Sequence, residues 1–244
     1  MIGDIHGDLD ALRIVVSKLP LVDAEDTIVF LGDYLDRGPH SAEVVRIVRA
    51  MERDLGCKVV CLRGNHEDAW LRVREKRWDE FVFPPTNGCF ATYRSFIGGE
   101  PPKDGEMPQM EDVEPMFTGA FFSDDLVAWL NQLPYWYEDA HAIYVHAGLV
   151  ERDGSFAHPR DTVPQIALLW TRTEKFFREY RGKTVVIGHT VTELLPQELS
   201  TYTPADPSDM WVGPAIIAID TGAGKEGGFL TAVELPARTV YESR

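Results

Sequence analysis

Five short segments of the 244-residue chain place an Asp, Asn or His near a glycine. They are GDIHG (3–7), GDYLDRG (32–38), RGNHE (63–67), VHAGL (145–149) and GHT (188–190). Four of the seven histidines fall inside them, namely His6, His66, His146 and His189. Oxygen and imidazole ligands together suit Mn²⁺, Fe or Zn²⁺ ions that keep open water positions. The combination predicts a dinuclear metal site.

Each segment has an ordinary structural explanation when it is taken alone. A single histidine at a strand end is usually a hydrogen-bonded structural residue. Asp33 could form a turn or a helix N-cap, and Asp220 in IDTG could equally form a turn or lie near a site. Arg37 could make a surface ion pair of little energetic value. Five such segments in one chain are hard to explain by turn chemistry, so the joint pattern favours metal binding.

Alternating strand and helix patterns precede and follow the first motifs. We predict strands over 27–33 and 58–65, and helices over 9–19, 41–51 and 67–78. Ser41 is the expected N-cap of its helix. Three strand–loop–helix units in 80 residues predict βαβ units with a parallel sheet. Ligands bind at the carboxyl ends of the strands in such sheets, which is where the motifs stand.

The remainder of the chain is less regular. We predict a helix over 123–132, strands over 135–139 and 142–147, and short strands of more antiparallel character in 183–190, 215–222 and 228–235. Residues 98–119 are rich in Pro, Gly and acids, and we expect an irregular surface insertion there. Together with 203–214 this segment could shape substrate choice. The whole chain, 1–244, is expected to form one α/β domain.

Composition excludes several classes of function. The net charge of -15 argues against binding of nucleic-acid polymers. We find neither a membrane-spanning apolar run nor a signal peptide, so we expect a cytoplasmic protein without membrane association. Cys57, Cys61 and Cys89 lack a metal-binding spacing, and free thiols are expected. The six tryptophans are expected to pack in the core or at a rim.

GDIHG, GDYLDRG and RGNHE, in this order, resemble the signature of the phosphoprotein phosphatase family of calcineurin-like metallophosphoesterases. VHAGL and GHT are similar to the downstream histidine motifs of that family, so the resemblance covers residues 3–190. GKTVVIGHT and the short C-terminal part are more similar to the bacterial and phage serine/threonine protein phosphatases. The resemblance implies a four-layer α/β/β/α sandwich, in which two mixed β-sheets are flanked by helices.

The resemblance also implies the metal ligands. Asp4 and His6 would bind the first ion, and Asp33 would bridge both ions. The second ion would be bound by Asn65, His146 and His189. In an extended stretch, residues two apart point the same way, so we expect Asp4 and His6 to reach one ion. The cofactors would be two divalent ions, with Mn²⁺ favoured and Fe or Zn²⁺ as alternatives.

The remaining roles follow from the same resemblance. Two metals ~3.5–4 Å apart lower the pKa of a shared water, and the resulting hydroxide would attack phosphorus. The substrate phosphate would be bound by Arg37, Arg172 and Asn65. His66 would be the general acid, and Asp36 would orient it. Glu67 suits a helix N-terminus and Arg63 its own loop, so we assign neither a catalytic role.

The expected substrates are phosphoserine or phosphothreonine in proteins, with phosphotyrosine or a small phosphoester as alternatives. A dinucleoside polyphosphate hydrolase of the diadenosine tetraphosphatase type is the alternative enzyme, although Asp36 beside Arg37 is more similar to the protein phosphatases. A non-catalytic binding module on the same scaffold is a third reading. Such a module should have lost ligands or the acid, whereas all are present here.

Overall fold

The computed structural model describes residues 1–203 and 205–244, so part of the 203–214 stretch, at residue 204, lies outside the described residues. The helices are α1 Leu9–Lys18, α2 Ser41–Asp54, α3 Asn65–Lys76, α4 Asp79–Val82, α5 Cys89–Ile97, α6 Met110–Thr118, α7 Asp124–Gln132 and α8 Glu174–Glu179. The strands are β1 Thr27–Phe30, β2 Lys58–Cys61, β3 Trp136–Glu138, β4 Ile143–Val145, β5 Glu151–Arg152, β6 Ser155–Phe156, β7 Val185–Ile187, β8 Trp211–Val212, β9 Ile216–Ala218, β10 Thr231–Glu234 and β11 Thr239–Glu242.

Two mixed sheets form the centre of the molecule. In the first, β1 and β2 are parallel, β10 and β11 are antiparallel, and Ile2 joins the two pairs by bridging to Phe30 and Ala232. The second sheet has the strand order β3-β4-β7-β9-β8. Strands β3 and β8 run antiparallel to their neighbours, whereas β4, β7 and β9 are parallel.

Three apolar clusters show that the sheets are stacked between helices. The central cluster draws on both sheets and includes Val29, Leu62, Tyr144, Val186 and Ile217. A second cluster packs helices α1, α2 and α3 against the first sheet, and a third packs α8 against the second sheet. Burial of these apolar faces drives the association of the layers. The predicted four-layer α/β sandwich is therefore confirmed.

Most predicted elements are present, but the prediction for the last third was wrong in one respect. Strands β7 and β9 are parallel to β4, and only the β10–β11 pair and the edge strand β8 are antiparallel. Parallel neighbours need long crossover connections. Helix α8 lies in the connection from β4 to β7, and short 3₁₀ turns lie in the connection from β7 to β9. Their sequence patterns are weak, so the sequence suggested consecutive hairpins instead.

Two further corrections concern helices. The insertion at 98–119 is irregular only in part, because helix α6 occupies Met110–Thr118. This helix forms even though it contains Pro115. Its first turn is stabilised by Asp112, whose carboxylate accepts from the backbone N–H of Gln109 at 2.8 Å. Ser41 is the first residue of α2 and not its N-cap, and its hydroxyl instead accepts from the N–H of Asp36 at 3.1 Å. None of the described helices is long and apolar enough to cross a membrane.

Candidate metal and phosphate site

The five motif segments meet at one edge of the two sheets. Segments 32–38 and 63–67 follow β1 and β2, while 145–149 and 188–190 follow β4 and β7. Backbone hydrogen bonds connect them, from the N–H of His6 to the carbonyl of Asp33 at 2.8 Å and from Gly188 to His146 at 2.9 Å. All the predicted ligands are at least 95% buried. The fold thus gathers the predicted ligands into one buried cluster.

The loops that carry these side chains have unusual backbone conformations. Positive φ angles occur at His6, Asp33, Asp36, Arg37 and His189, with values of 48°, 52°, 72°, 64° and 63°. Each such residue costs about 1 kcal/mol or more, and such strain concentrates at functional sites. The expectation that Asp4 and His6 share an extended stretch is wrong, because the chain turns at His6. The turn, and not strand alternation, places His6 in the cluster.

Asp33 stands between two histidines. Its Oδ2 lies 3.3 Å from Nε2 of His6, and its Oδ1 lies 3.5 Å from Nε2 of His146. Nδ1 of His6 donates to the carbonyl of Leu35 at 2.9 Å, and Nδ1 of His146 donates to the carbonyl of Leu31 at 2.8 Å. These bonds fix the tautomers, so in the neutral rings each Nε2 presents a lone pair to a carboxylate oxygen.

This arrangement of facing lone pairs tests whether metal ions fit the cluster. Burial lowers the pKa of His6 and of His146, so both rings are neutral, and burial is the largest cause for each. Each oxygen of Asp33 faces an imidazole nitrogen that carries no proton, and a cation between the two atoms would bind both. The residues therefore fit divalent ions.

Two sets of donor atoms lie close enough together to share an ion, all within 4.8 Å of one another. The sets are His6, Asp33 and His66, and Asp33, His146 and His189. Asp33 belongs to both sets, which is the position expected of a bridging carboxylate. His66 also joins the first set, where its Nε2 lies 3.9 Å from Oδ2 of Asp33.

Asn65, His189 and Asp4 complete the cluster. The amide oxygen of Asn65 lies 2.8 Å from Nε2 of His146 and 2.7 Å from Nδ1 of His189. Oδ2 of Asp4 accepts from the N–H of His189 at 2.8 Å. Buried atoms without a hydrogen-bond partner among the described residues include Asp4 Oδ1, His6 Nε2 and His189 Nε2. Burial and the charges of Asp220 and Asp33 raise the pKa of Asp4 well above its usual value.

His66 is held from behind by Asp36. Its Nδ1 lies 2.7 Å from Oδ2 of Asp36, which is completely buried. The carboxylate of Asp36 also accepts from Nε1 of Trp70 at 2.9 Å and from the hydroxyl of Thr92 at 2.6 Å. Burial opposes protonation of His66, but the charge of Asp33 and the bond to Asp36 raise its pKa overall. The bond to Asp36 thus orients the ring, whose Nε2 faces the candidate ligand Asp33 at 3.9 Å.

Cationic side chains border the cluster on another side. Nη1 of Arg37 is buried without a partner among the described residues. Nη2 of Arg172 donates to the carbonyl of His189 at 3.2 Å, which holds that guanidinium beside the cluster. Guanidinium groups in this position suit phosphate oxygens. The two arginines predicted to bind phosphate are therefore both close to the candidate ligands.

The structural role of Glu67 was not predicted from the sequence. Its side chain is completely buried, and its two oxygens accept four backbone N–H groups, from Asp33, Tyr34, Leu35 and Gly64, at 2.8–3.3 Å. Burial raises the pKa of Glu67, while the four bonds stabilise its ionised carboxylate and act in the opposite direction. Glu67 fastens two motif loops to the start of α3. Glutamate is common at the third position of a helix, so its presence there did not predict these contacts.

Trp70 and Thr92 were also missed as partners of Asp36, although Trp70 is in the core as predicted. Asp220 has both of its suggested roles. Its Oδ1 accepts from Gly222 at 3.1 Å in a turn, and its buried Oδ2, close enough to affect Asp4, has no partner among the described residues. Arg63 has the expected structural role, because its guanidinium donates to the carbonyls of Leu130 and Asn131.

Aromatic rings, of which Trp78 and Trp170 are partly exposed, form a rim at the cluster. The ring of Trp170 lies 6.3 Å from that of the candidate ligand His189 and 5.9 Å from that of Trp78. Trp78 stacks on Phe81, whose ring lies 5.4 Å from that of His66. A substrate entering here would meet apolar rings around a polar centre.

Comparison with known proteins shows the family of the chain. The calcineurin-like phosphoesterase family profile matches residues 1–193. A symmetrical bis(5'-nucleosyl)-tetraphosphatase of Sodalis glossinidius is 30% identical over 151 residues, which is 61% of this chain and 42% of that protein. The aligned part of the chain thus spans less than half the length of this relative.

Two other proteins are similar over different extents. The serine/threonine-protein phosphatase rdgC of Drosophila melanogaster is 38% identical over 72 residues, which is 30% of this chain and 11% of that protein. A cold-active protein-tyrosine phosphatase of a psychrophilic Shewanella has a similar structure, with a TM-score of 0.56 and 18% identity. That match covers all of this chain and 79% of the other. At this identity the likeness is one of fold.

Proposed function

Because the chain belongs to the calcineurin-like phosphoesterase family, we propose that it is a metal-dependent hydrolase of phosphomonoesters, acting on phosphoserine or phosphothreonine in proteins. The observation that carries this proposal is the 2.7 Å contact between His66 Nδ1 and Asp36 Oδ2 beside the ligand cluster. A serine or threonine alkoxide is a poor leaving group and needs a proton, and a histidine held in this way can supply one.

We assign the ligands as two groups around Asp33. Asp4, His6 and Asp33 would hold one divalent ion, and Asp33, Asn65, His146 and His189 would hold the other. Mn²⁺ is proposed because the ligands mix oxygen and imidazole nitrogen. Two such ions, when bound, would supply a water of lowered pKa and positive charge for the phosphate oxygens.

The chain's own residues would do the rest. Arg37 and Arg172 would bind the phosphoryl oxygens and stabilise the charge that develops on them. Asn65 lies between the ligand histidines and would help to orient the phosphoryl group. His66 would donate its Nε2 proton to the leaving oxygen, and Asp36 would hold the ring in the required orientation. The buried Glu67 would keep the loops of Asp33 and Asn65 in register.

The experiment that tests this role of His66 compares good and poor leaving groups. His66→Asn should retain bound Mn²⁺, while kcat on a phosphothreonine peptide falls by about 10²- to 10⁴-fold. The fall on p-nitrophenyl phosphate should be much smaller, because nitrophenolate leaves without a proton. His141→Asn, at an exposed histidine outside the site, is the matched control. Full activity of His66→Asn on the peptide would refute the acid role, and loss of Mn²⁺ would make His66 a ligand.

A second candidate is hydrolysis of dinucleoside polyphosphates, because the symmetrical tetraphosphatase of Sodalis glossinidius aligns with 61% of the chain. The leaving group in the hydrolysis of a dinucleoside polyphosphate is a nucleotide phosphate, which needs no proton at neutral pH. Diadenosine tetraphosphate turnover that is fast and insensitive to His66→Asn, together with no release of phosphate from the peptide, would favour this candidate over a protein phosphatase.

A further inference from the structure

A cavity of about 410 Å³ opens beside the candidate phosphate site. Arg172 lines this cavity, and the same side chain donates from Nη2 to the carbonyl of His189 at 3.2 Å. Thr190, the residue after His189, also lines it. The hydroxyl of Thr190 is buried without a partner among the residues that the structure describes, and a peptide group in the cavity would supply one. The cavity and the candidate metal site therefore share Arg172.

Apolar side chains form much of the wall of this cavity. Phe177, Leu194, Leu195 and Pro196 all line it. Phe177 and Leu195 belong to the buried cluster that packs α8 against the second sheet, so they form a fixed floor. Leu194, in contrast, is 78% exposed, although its side chain is fully apolar. An occupant of the cavity that covered Leu194 would remove apolar surface from water.

The turn that carries Leu194 is anchored by hydrogen bonds. It is the 3₁₀ turn Thr192–Leu194. Thr192 is completely buried, and its N–H donates to the carbonyl of Asp220 at 3.0 Å. The carbonyl of Thr192 accepts from Nε2 of Gln197 at 2.7 Å. The cavity is thus largely formed before a ligand arrives, which lowers the entropic cost of binding.

The charges at the cavity favour an apolar occupant. Arg178 lines the cavity, but it already pairs with Glu174 from Nε and with Glu198 from Nη1, at 2.6 Å in each case. The other cation in the wall is Arg172, which the proposed function assigns to the phosphoryl group. A charged side chain that entered the cavity would have to disrupt one of these ion pairs. An apolar side chain would leave them intact and would contact Leu194.

We propose that this cavity binds an apolar side chain of the phosphoprotein substrate, from a residue close in sequence to the phosphorylated serine or threonine. The inference rests on the proposed function, which makes the substrate a phosphoprotein and places its phosphoryl group at Arg37 and Arg172. Leu194 is the specificity residue, because it is the exposed apolar side chain that the occupant would cover. The proton donor and the candidate metal ligands are other side chains, so Leu194 selects the substrate and takes no part in hydrolysis.

The test compares the binding of peptides that differ at one residue. Each peptide carries the non-hydrolysable phosphonate analogue of phosphoserine in an alanine background, and a single leucine is placed in turn at each of the three positions on either side. Dissociation constants are measured by calorimetry on the Mn²⁺-loaded protein. At one position or more, leucine should bind about tenfold more tightly than alanine. Leu194→Ser should reduce this preference to within about twofold without changing the affinity for the all-alanine peptide, and Leu194→Met should retain it.

Leu21→Ser is the matched control, because Leu21 is a fully exposed leucine between α1 and β1. This variant should keep the preference for leucine. The inference would be overturned by equal affinity for all the peptides, by a lack of peptide binding, or by a preference that survives Leu194→Ser. Tighter binding of a glutamate peptide than of the leucine peptide would also overturn it, since the arginines would then select the side chain.

Failure of the proposed function would give a different result. The Mn²⁺-loaded protein would then release no phosphate from a phosphothreonine peptide, whereas the preference for leucine in calorimetry would remain measurable. Release of phosphate without any preference for leucine would leave the proposed function standing and overturn the assignment of the cavity.

Discussion

Nδ1 of His66 lies 2.7 Å from Oδ2 of Asp36, and neither residue is on the surface. Asp36 is in turn fixed by Trp70 and Thr92, which occupy its remaining acceptor positions. The carboxylate therefore has one orientation, and the imidazole bonded to it has one orientation as well. A proton donor that must meet a leaving oxygen within hydrogen-bond reach needs such support.

Asp36→Asn tests whether this carboxylate acts through His66. The variant should lower kcat on a phosphothreonine peptide by about 10²-fold, because an amide neither orients nor charges the ring as a carboxylate does. The double variant Asp36→Asn, His66→Asn should be no slower than His66→Asn alone, since residues that act as a unit are not additive. Losses that multiply in the double variant would show two independent roles. Circular dichroism of each variant checks that the fold is intact.

Glu67→Gln is expected to destabilise the protein. The amide group would turn an N–H₂ towards backbone donors that now find carboxylate oxygen, and each unsatisfied buried group costs about 1–3 kcal/mol. Urea unfolding of the metal-free protein should therefore show a loss of about 2 kcal/mol or more. Glu75→Gln, in the same helix but exposed to solvent, should change the free energy of unfolding by less than about 0.5 kcal/mol. Equal stability of the two variants would contradict the role of Glu67.

The candidate ligands could be predicted from the sequence, whereas the role of Glu67 could not. The clustering of the candidate ligands was predictable because each stands near a glycine at a strand end, and this pattern can be recognised in the sequence alone. Glu67 accepts hydrogen bonds from backbone N–H groups in two separate parts of the chain, 33–35 and Gly64, and no local sequence pattern predicts the first of these. Thr92 reaches Asp36 from helix α5 for the same reason. Long-range polar contacts are set by tertiary packing, which a single sequence does not display.

The fold was predictable to a similar degree. The parallel pairing of β1 with β2 follows from the short strand–loop–helix repeat, and the structure shows it. The parallel pairing of β7 with β4 was not predicted, because the 39 residues between these strands contain little helical periodicity beyond α8. The conformation of His6 was not predicted either, since positive φ in a non-glycine residue comes from constraints elsewhere in the loop.

Removal of metal should lower the thermal stability, because the ions would bind at Asp33 in the folded protein. Cations that bind only the folded state add about 2.7 kcal/mol at a hundredfold excess over Kd. For a chain of this size each kcal/mol shifts Tm by about 2–4 °C. Scanning calorimetry with Mn²⁺ and with chelator should thus differ by about 5–10 °C. Asp33→Asn should lose most of this difference, because both candidate sites share Asp33. A difference that persists in Asp33→Asn would place the stabilising ions elsewhere.

The three cysteines should differ in reactivity. Burial raises the pKa of the Cys61 and Cys89 thiols, so they hold their protons at neutral pH, and both are almost inaccessible to solvent. Cys57 is only partly buried. One thiol per chain should therefore react with a disulfide reagent in the native protein, and three should react in denaturant. Cys57→Ser should abolish the native reaction, and rapid modification of a second thiol would contradict the burial seen here.

We propose that two metal ions around Asp33 make this protein a phosphoesterase. The most direct test is titration of chelator-treated protein with Mn²⁺ while hydrolysis of p-nitrophenyl phosphate is followed. We expect no hydrolysis without metal, and a rate that rises to a plateau at about two ions per chain. Undiminished hydrolysis in the presence of chelator, or no hydrolysis after two ions are bound, would contradict it.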